Sequence, residues 1–306
     1  MNGIPLEEPR TRGRRMRGRA LGTAAFLGLF PPLLVINVVQ TLSVVLLPFS
    51  RPTFRRVNRG CANLWWSMCV VGARRFFGTR VEITGDGVPA DEDTILLCNH
   101  QSMADIPILF DLAWRKGRLG DLKWYVKDVL KFVPGIGWGM LFLDCLFIKR
   151  AWTEDKARIR RIFRRIVSGR VPIWIVSFAE GTRFTPAKAA RSAAYAAEKG
   201  LPVLRHTLLP RTKGFVATLE GLGDHANAIL DCTIGYPDGV PTLWQWAKGY
   251  VPRVSLHVRR FPINALPRDD EGRADWLMER YVEKDRLLAE FESRGRFPGA
   301  SMADRP

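Results

Sequence analysis

Two side chains in the stretch "ILLCNHQSMADIPILF", residues 95–110, are of the types needed to move a proton: His100 and Asp105. Imidazole titrates near neutrality, and a carboxylate bound to one ring nitrogen leaves the other available as a base. The chain has only four histidines, and this one follows an apolar run that reads as a strand. On one continuous helix, residues five apart would point about 140° away from each other. The two can meet only if His100 lies in a turn and Asp105 in the first turn of the helix behind it. Asn99, Gln101 and Ser102 supply turn and cap chemistry at that junction. Together they would form the base half of a triad with no attached nucleophile. Two other readings fit the same letters. Asp105 could close a capping box begun by Ser102, or Ser102 could carry an acyl group, although no GxSxG elbow surrounds it. Cys98 reads as strand core.

Basic residues gather at the ends of other apolar runs. Glu180, Gly181, Thr182 and Arg183 follow "PIWIVSF", where α/β sheets place ligand-binding loops. Gly181 permits close backbone approach, and Arg183 offers a planar fork to a phosphate. Lys149 and Arg150 end "LFLDCLFIKR", and Arg211 and Lys213 follow Leu208, Leu209 and Pro210. Three basic strand ends beside a His–Asp pair describe a pocket for an anionic substrate with a proton to lose.

The elements that must position these groups begin at Val81. "VEITG", "TILLCN", "LFLDCLFIKR", "PIWIVSF", "LPVLRHTLL", "ILDCTIGY" and "RVSLHVRRF" read as strands. Helices are expected over 103–116, 154–169, 187–200 and 275–293. In the second of these, Ile159, Ile162, Phe163 and Ile166 recur at helical spacing on one face. Alternation of strand and helix predicts an α/β fold with a mixed, largely parallel sheet flanked by helices over 80–293. Residues 294–306 are expected to form a flexible tail.

The formal net charge of +17 calls for an acidic partner, nucleic acid or an anionic membrane surface. Neither a helix-turn-helix nor aromatic–basic interleaving on a strand face is legible, which sets nucleic acid aside. The N-terminus points to membrane. Six arginines within a basic tail, 1–19, precede a charge-free run over 20–50, and about twenty apolar residues suffice to cross hydrocarbon. The basic cluster predicts a cytoplasmic N-terminus. Pro31 and Pro32 should break or kink the run, giving one bent span or two short helices returning to the same side. Arg51, Arg55, Arg56 and Arg59 resist translocation and favour the return. Over 54–78, arginines mix with Trp65, Trp66 and Phe76, as interfacial anchors or as core residues. Residues 20–79 therefore read as a membrane-embedded or interfacial helical segment. The five cysteines form no CxxC or Cys/His cluster, so reduced thiols and no metal or cofactor are expected.

Taken in order, "NHQSMAD", "FIKR", "FAEGTRF" and "LLPRTKGF" resemble the four blocks of the membrane-bound glycerolipid acyltransferases, in particular the 1-acylglycerol-3-phosphate acyltransferases. The fourth block and the late pieces "TIGY", "RRFP" and "WLMERYVEKDRLL" are similar to the branch with lysocardiolipin acyltransferases and a bacterial inner-membrane group. The resemblance implies that 80–293 is an acyltransferase domain that moves a fatty acyl group from acyl-CoA or acyl-carrier protein to the sn-2 hydroxyl of 1-acylglycerol-3-phosphate. His100 would be the base and Asp105 its orienting carboxylate. Arg150 and Arg183 would hold the acceptor phosphate, with Lys149, Glu180, Gly181, Thr182, Arg211 and Lys213 in the substrate site. It also implies a lysophospholipid acceptor, contact with anionic lipids, and a bacterial inner membrane with the catalytic domain on the cytoplasmic side. Many relatives have a plain apolar strand with proline where this chain has "RTKG", which keeps a larger lysophospholipid such as lysocardiolipin as the alternative acceptor.

Overall fold

The computed structural model describes residues 3–149 and 152–300. Seven strands form one sheet in the order β1-β7-β6-β2-β5-β3-β4: β1 (Arg80–Gly85), β2 (Thr94–Cys98), β3 (Leu122–Lys127), β4 (Leu146–Ile148), β5 (Trp174–Ser177), β6 (Ala228–Gly235) and β7 (Arg253–Pro262). Every pairing is parallel except β6 with β7. The expected mixed, largely parallel sheet is therefore present. Strands β6, β2, β5, β3 and β4 share one direction, so their C-terminal ends line one edge.

The sheet is covered on both faces, and the period of two along its strands sorts side chains between two cores. Leu96 and Cys98 of β2 face one core, together with α2 (Arg51–Gly72) and α3 (Asp105–Arg115). Ile95 and Leu97 face the other, with α5 (Trp152–Ser168), α7 (Thr212–Leu222) and α9 (Asp270–Arg294). The stripe Ile159, Ile162, Phe163 and Ile166 lies in this second core, as its spacing predicts.

Two expected strands differ, and two elements appear that were not expected. "LPVLRHTLL" forms no strand, because its ladder donors are taken: the backbone N–H groups of Arg205, His206 and Thr207 all donate to Asp285 Oδ1. "LFLDCLFIKR" yields only the three residues of β4, because Leu141 and Phe142 end α4 (Ile136–Phe142) and Asp144 turns into the left-handed region at φ 57°. The strand β3 and the helix α7 were not anticipated, so Arg211 and Lys213 lie at a helix start, not a strand end. The remaining helices are α6 (Pro186–Glu198) and α8 (Leu243–Ala247). Through residue 300 the tail is not loose: Phe297 is buried against Phe291, ring centres 4.6 Å apart.

The N-terminal segment also departs from expectation. The helix α1 (Arg12–Leu42) begins inside the basic tail and runs unbroken through Pro31 and Pro32. The chain reverses over 43–50 instead, through a 3₁₀ turn (Ser43–Leu46), and α2 returns alongside α1. Trp66 is no interfacial anchor. It is buried and stacks on Phe110 of α3 at 5.1 Å. Trp65 donates its indole N–H to Leu29 O of α1 at 2.9 Å, whereas Phe76 is exposed.

Candidate active site

β2 stops at Cys98 because the next residues spend their polar groups on β6 instead of extending the ladder. Asn99 Nδ2 donates to Ile234 O at 3.0 Å while Ile234 N–H donates back to Asn99 Oδ1 at 2.8 Å, and Gln101 Nε2 donates to the same carbonyl. This fork fixes the turn that presents His100. Asp105 opens α3, wholly buried, and its Oδ2 accepts from His100 Nδ1 at 2.9 Å and from the backbone N–H groups of Gln101 and Ser102 at 2.8 and 2.9 Å. A carboxylate can only accept, so Nδ1 carries the proton and Nε2 is left as the basic nitrogen.

Half of the capping-box alternative forms: Asp105 Oδ2 takes the Ser102 N–H, while the Asp105 N–H goes to Ser102 O and not to its Oγ. The N-cap of α3 is Ala104, whose own N–H donates to Ser102 Oγ at 3.1 Å. Ser102 is buried with its hydroxyl donated to Pro241 O, an arrangement that occupies the proton a nucleophile would have to give up.

Glu180 follows β5 on the neighbouring strand. Its Oε1 accepts the His100 backbone N–H at 2.9 Å and its Oε2 the Leu208 N–H at 3.3 Å. Only 3% exposed, it is enclosed and not open to a ligand, and burial pushes its carboxyl up to about 8 against the pull of those two donors. The part it can play is to tie the β2 turn to the 201–211 loop. Phe184 N–H donates to His100 O at 2.7 Å, so the "FAEGTRF" loop is pinned to the histidine from both ends.

The cations fall into two groups. Arg211 N–H donates to Ala179 O at 2.7 Å, and its guanidinium lies over Gly181, where a Cβ would approach Nε to 2.8 Å. Gly181 has φ +68°, which suits glycine. Thr182 Oγ1 accepts from Lys188 Nζ at 2.7 Å, which also reaches Arg183 O, and the Arg183 side chain is exposed. Lys149 follows β4, exposed, with its N–H on Asp155 Oδ1 at 2.8 Å. At about 4.8 Å per strand, β5 lies one spacing from β2 but β4 lies roughly 14 Å away. Lys213 sits exposed on α7. Arg150 lies outside the described residues.

Two neighbours of the pair escaped the sequence reading. Tyr236, just past the end of β6, donates its hydroxyl to Asp105 Oδ1 at 2.7 Å, and Phe178 stacks on the His100 ring at 4.0 Å. Their signal was positional: each directly follows a buried strand whose C-terminal end borders β2.

A carboxylate-bound imidazole at the sheet edge, with Arg183 and Arg211 on the loops of the neighbouring strand, is an arrangement that could take a proton from an anionic substrate. The comparisons give it a family. The model "Acyltransferase" matches residues 80–234 and "Acyltransferase C-terminus" matches 248–306. The chain is 36% identical to the probable 1-acyl-sn-glycerol-3-phosphate acyltransferase 5 of Arabidopsis thaliana, over 79% of this chain and 66% of that protein. It is 35% identical to the human 1-acyl-sn-glycerol-3-phosphate acyltransferase gamma, over 89% and 74%. The crystal structure of the 1-acyl-sn-glycerophosphate acyltransferase PlsC from Thermotoga maritima shares the fold, with a TM-score of 0.56 at 15% identity over 90% of this chain and 98% of that one. The chain belongs to the acyltransferase family that includes the 1-acyl-sn-glycerol-3-phosphate acyltransferases. It is an acyl-transferring enzyme of the membrane-associated kind, and among the described residues one helical stretch, Arg12–Leu46, is long and apolar enough to cross a bilayer. Among the described residues no cluster of histidine, cysteine or carboxylate side chains could hold a metal ion.

Proposed function

We propose that this enzyme acylates the sn-2 hydroxyl of 1-acylglycerol-3-phosphate, using acyl-CoA or acyl-carrier protein, to make phosphatidic acid. The observation that carries the reading is the 2.9 Å bond from His100 Nδ1 to a fully buried Asp105. Nε2 takes the hydroxyl proton as the alcohol oxygen attacks the thioester carbonyl. The carbon–sulfur bond then breaks, and the imidazolium returns its proton to the departing thiolate. Asp105 orients the ring and stabilises its charged form. In a glycerol phosphate the phosphate lies within a few bonds of the sn-2 hydroxyl. The cations one strand away, Arg183 and Arg211, suit it better than Lys149 at the far edge, which would serve a more distant phosphate. Glu180 acts by position, and Gly181, Thr182 and Lys213 shape the cation wall.

His100→Ala in purified enzyme should lower transfer by about 10²–10⁴, with the circular dichroism spectrum and vesicle binding retained. An unchanged rate would remove His100 from the chemistry. A panel of lysophospholipids tests the acceptor: the lysocardiolipin branch, favoured by the "RTKG" residues, would show as faster transfer to lysocardiolipin than to 1-acylglycerol-3-phosphate.

The apolar helix supports a monotopic attachment. Near its start, Gly18 lies against Tyr250, and a Cβ at Gly22 would come within 2.9 Å of Trp244, both on or beside α8. Near its end, Asn37 Nδ2 donates to Gly135 O at 2.9 Å. A helix fastened to one folded domain at both ends cannot carry that domain's charged surface through hydrocarbon. With α1 lying in one leaflet, the basic residues 10–19 favour an anionic surface and a cytoplasmic face, such as that of a bacterial inner membrane.

A further inference from the structure

Between β3 and β4 the chain builds an apolar surface that the transfer chemistry does not use. No charged residue occurs from Phe132 to Leu143, "FVPGIGWGMLFL". Val129, Phe132, Val133, Ile136, Trp138 and Leu141 all face outward, Phe132 at 72% and Val129 at 65% exposure. Contiguous large apolar side chains of this number mark an interaction surface.

The segment is built, not loose. Gly137 packs so closely that a Cβ would collide with Leu130 O, folding α4 back on the 3₁₀ turn Asp128–Phe132. Arg158 Nη1 reaches Asp128 Oδ1 at 2.6 Å and Phe147 O at 3.2 Å, tying that turn to β4. It is also continuous with the apolar helix. Besides the bond from Asn37 to Gly135 O, a Cβ at Gly135 would touch Leu33 at 3.1 Å, and one at Gly139 would meet Gln40 at 3.2 Å. These residues share α1 with the exposed Val35, Val38 and Leu42. The rim carries Lys127, exposed, and Lys131, paired with Asp128 at 2.8 Å.

We infer that residues 128–142 form a second membrane-inserted element, seated in the same lipid leaflet as α1, with acyl-chain hydrocarbon as the occupant of the face. Continuity with α1 selects lipid over a second copy of the chain, and a basic rim matches anionic head groups. Trp138 suits the head-group boundary. Because β3 ends on the same edge as His100, insertion of Val129 and Phe132 holds the strand ends at head-group level. This inference reaches beyond the transfer reading and rests only on the seating of α1 in one leaflet, which the label at Val38 checks separately.

The test places a polarity-sensitive thiol label on full-length Phe132→Cys, with Val129→Cys as an independent position. Val38→Cys on α1 and Tyr195→Cys on α6 serve as lipid and water references, and the label on unaltered protein, whose Cys61 is partly exposed, sets the background. Each is bound to phosphatidylcholine–phosphatidylglycerol vesicles containing an acyl-chain nitroxide lipid, then titrated separately with iodide. At a depth of about 5–10 Å, nitroxide quenching at 132 and 129 should fall within about twofold of that at 38, with little quenching by iodide. Iodide quenching like that at 195 would overturn the inference. Shielding from both quenchers, the mark of a protein–protein contact, would overturn it equally. The readout is depth, so it stands whether or not transfer is detected.

Discussion

Replacing Tyr236 with phenylalanine isolates the steering of the base. Its hydroxyl donates to Asp105 Oδ1 at 2.7 Å, in a site where both groups are buried, and the other donors to that carboxylate all fall on Oδ2. Burial and the neighbouring carboxylate push the Tyr236 phenol well above its ordinary range, so it remains a donor at every working pH. Phenylalanine leaves Oδ1 without a partner. A hydrogen bond to a charged group contributes about 1.5–3 kcal/mol, so if its loss lets Asp105 and the imidazole swing out of the reactive geometry, kcat/KM should fall about 10- to 150-fold. The direction of the pH effect follows from the same bond. A carboxylate with one donor fewer is more basic and holds imidazolium more firmly, so the acid limb of the rate profile should move to higher pH. The assay is thiol release from acyl-CoA with 1-acylglycerol-3-phosphate in vesicles, run across pH. A merely structural tyrosine would lower the melting temperature and leave the limb in place. An unmoved limb with kcat/KM unchanged would refute steering through Asp105.

Three further outcomes follow. Gly181→Ala puts a Cβ at φ +68° and 2.8 Å from Arg211 Nε; it should cost about 1–2 kcal/mol of stability and raise KM for the acceptor more than it lowers kcat, read from melting and steady-state kinetics. Lys284→Met strands Asp231, its ion-pair partner, and both groups are buried; chemical denaturation should show a loss of about 3–5 kcal/mol, largely recovered when Asp231→Leu is added. Glu180, raised to about 8 by burial, is protonated at neutral pH in the folded chain but ionised when unfolded. Its contribution is complete below its ordinary value near 4.5 and is lost as pH rises through about 8, so melting temperature should decline across that window and the decline should flatten in Glu180→Gln.

What was legible in the sequence was local. The turn at Asn99–Ser102 could be read because Asp105, which takes the Gln101 and Ser102 N–H groups, lies within a few residues, although its anchor Ile234 does not; the stripe of α5 could be read because it recurs with the helical period. What escaped depends on partners far along the chain. Arg205, His206 and Thr207 look extended until Asp285, some eighty residues on, takes their donors. Tyr236 meets Asp105 across 131 positions, which no local pattern records. Glu180 reads as a ligand group because loops at strand ends often bind, yet its carboxylate faces inward to the backbone of His100 and Leu208. Trp66 in an arginine-rich helix resembles an interfacial anchor, and only the position of Phe110 makes it core.

The returning helix α2 and the helical turn that follows it, Ala73–Phe77, are riveted along their length to the catalytic domain. Arg55 pairs with Asp144 at 3.2 Å, Arg59 grips Asp121 through two bonds at 2.6 and 2.9 Å, Asn63 accepts from Gly120, and Arg74 grips Asp111. Ala62, Trp66, Val70 and Phe77 fill the core over the sheet. Cutting the chain at about residue 80 to obtain a water-soluble enzyme would therefore strip a wall from the catalyst and bare its interior. Solubility is better sought by recolouring the lipid-facing side chains while leaving the helices in place, since what looks like a mooring line is part of the hull.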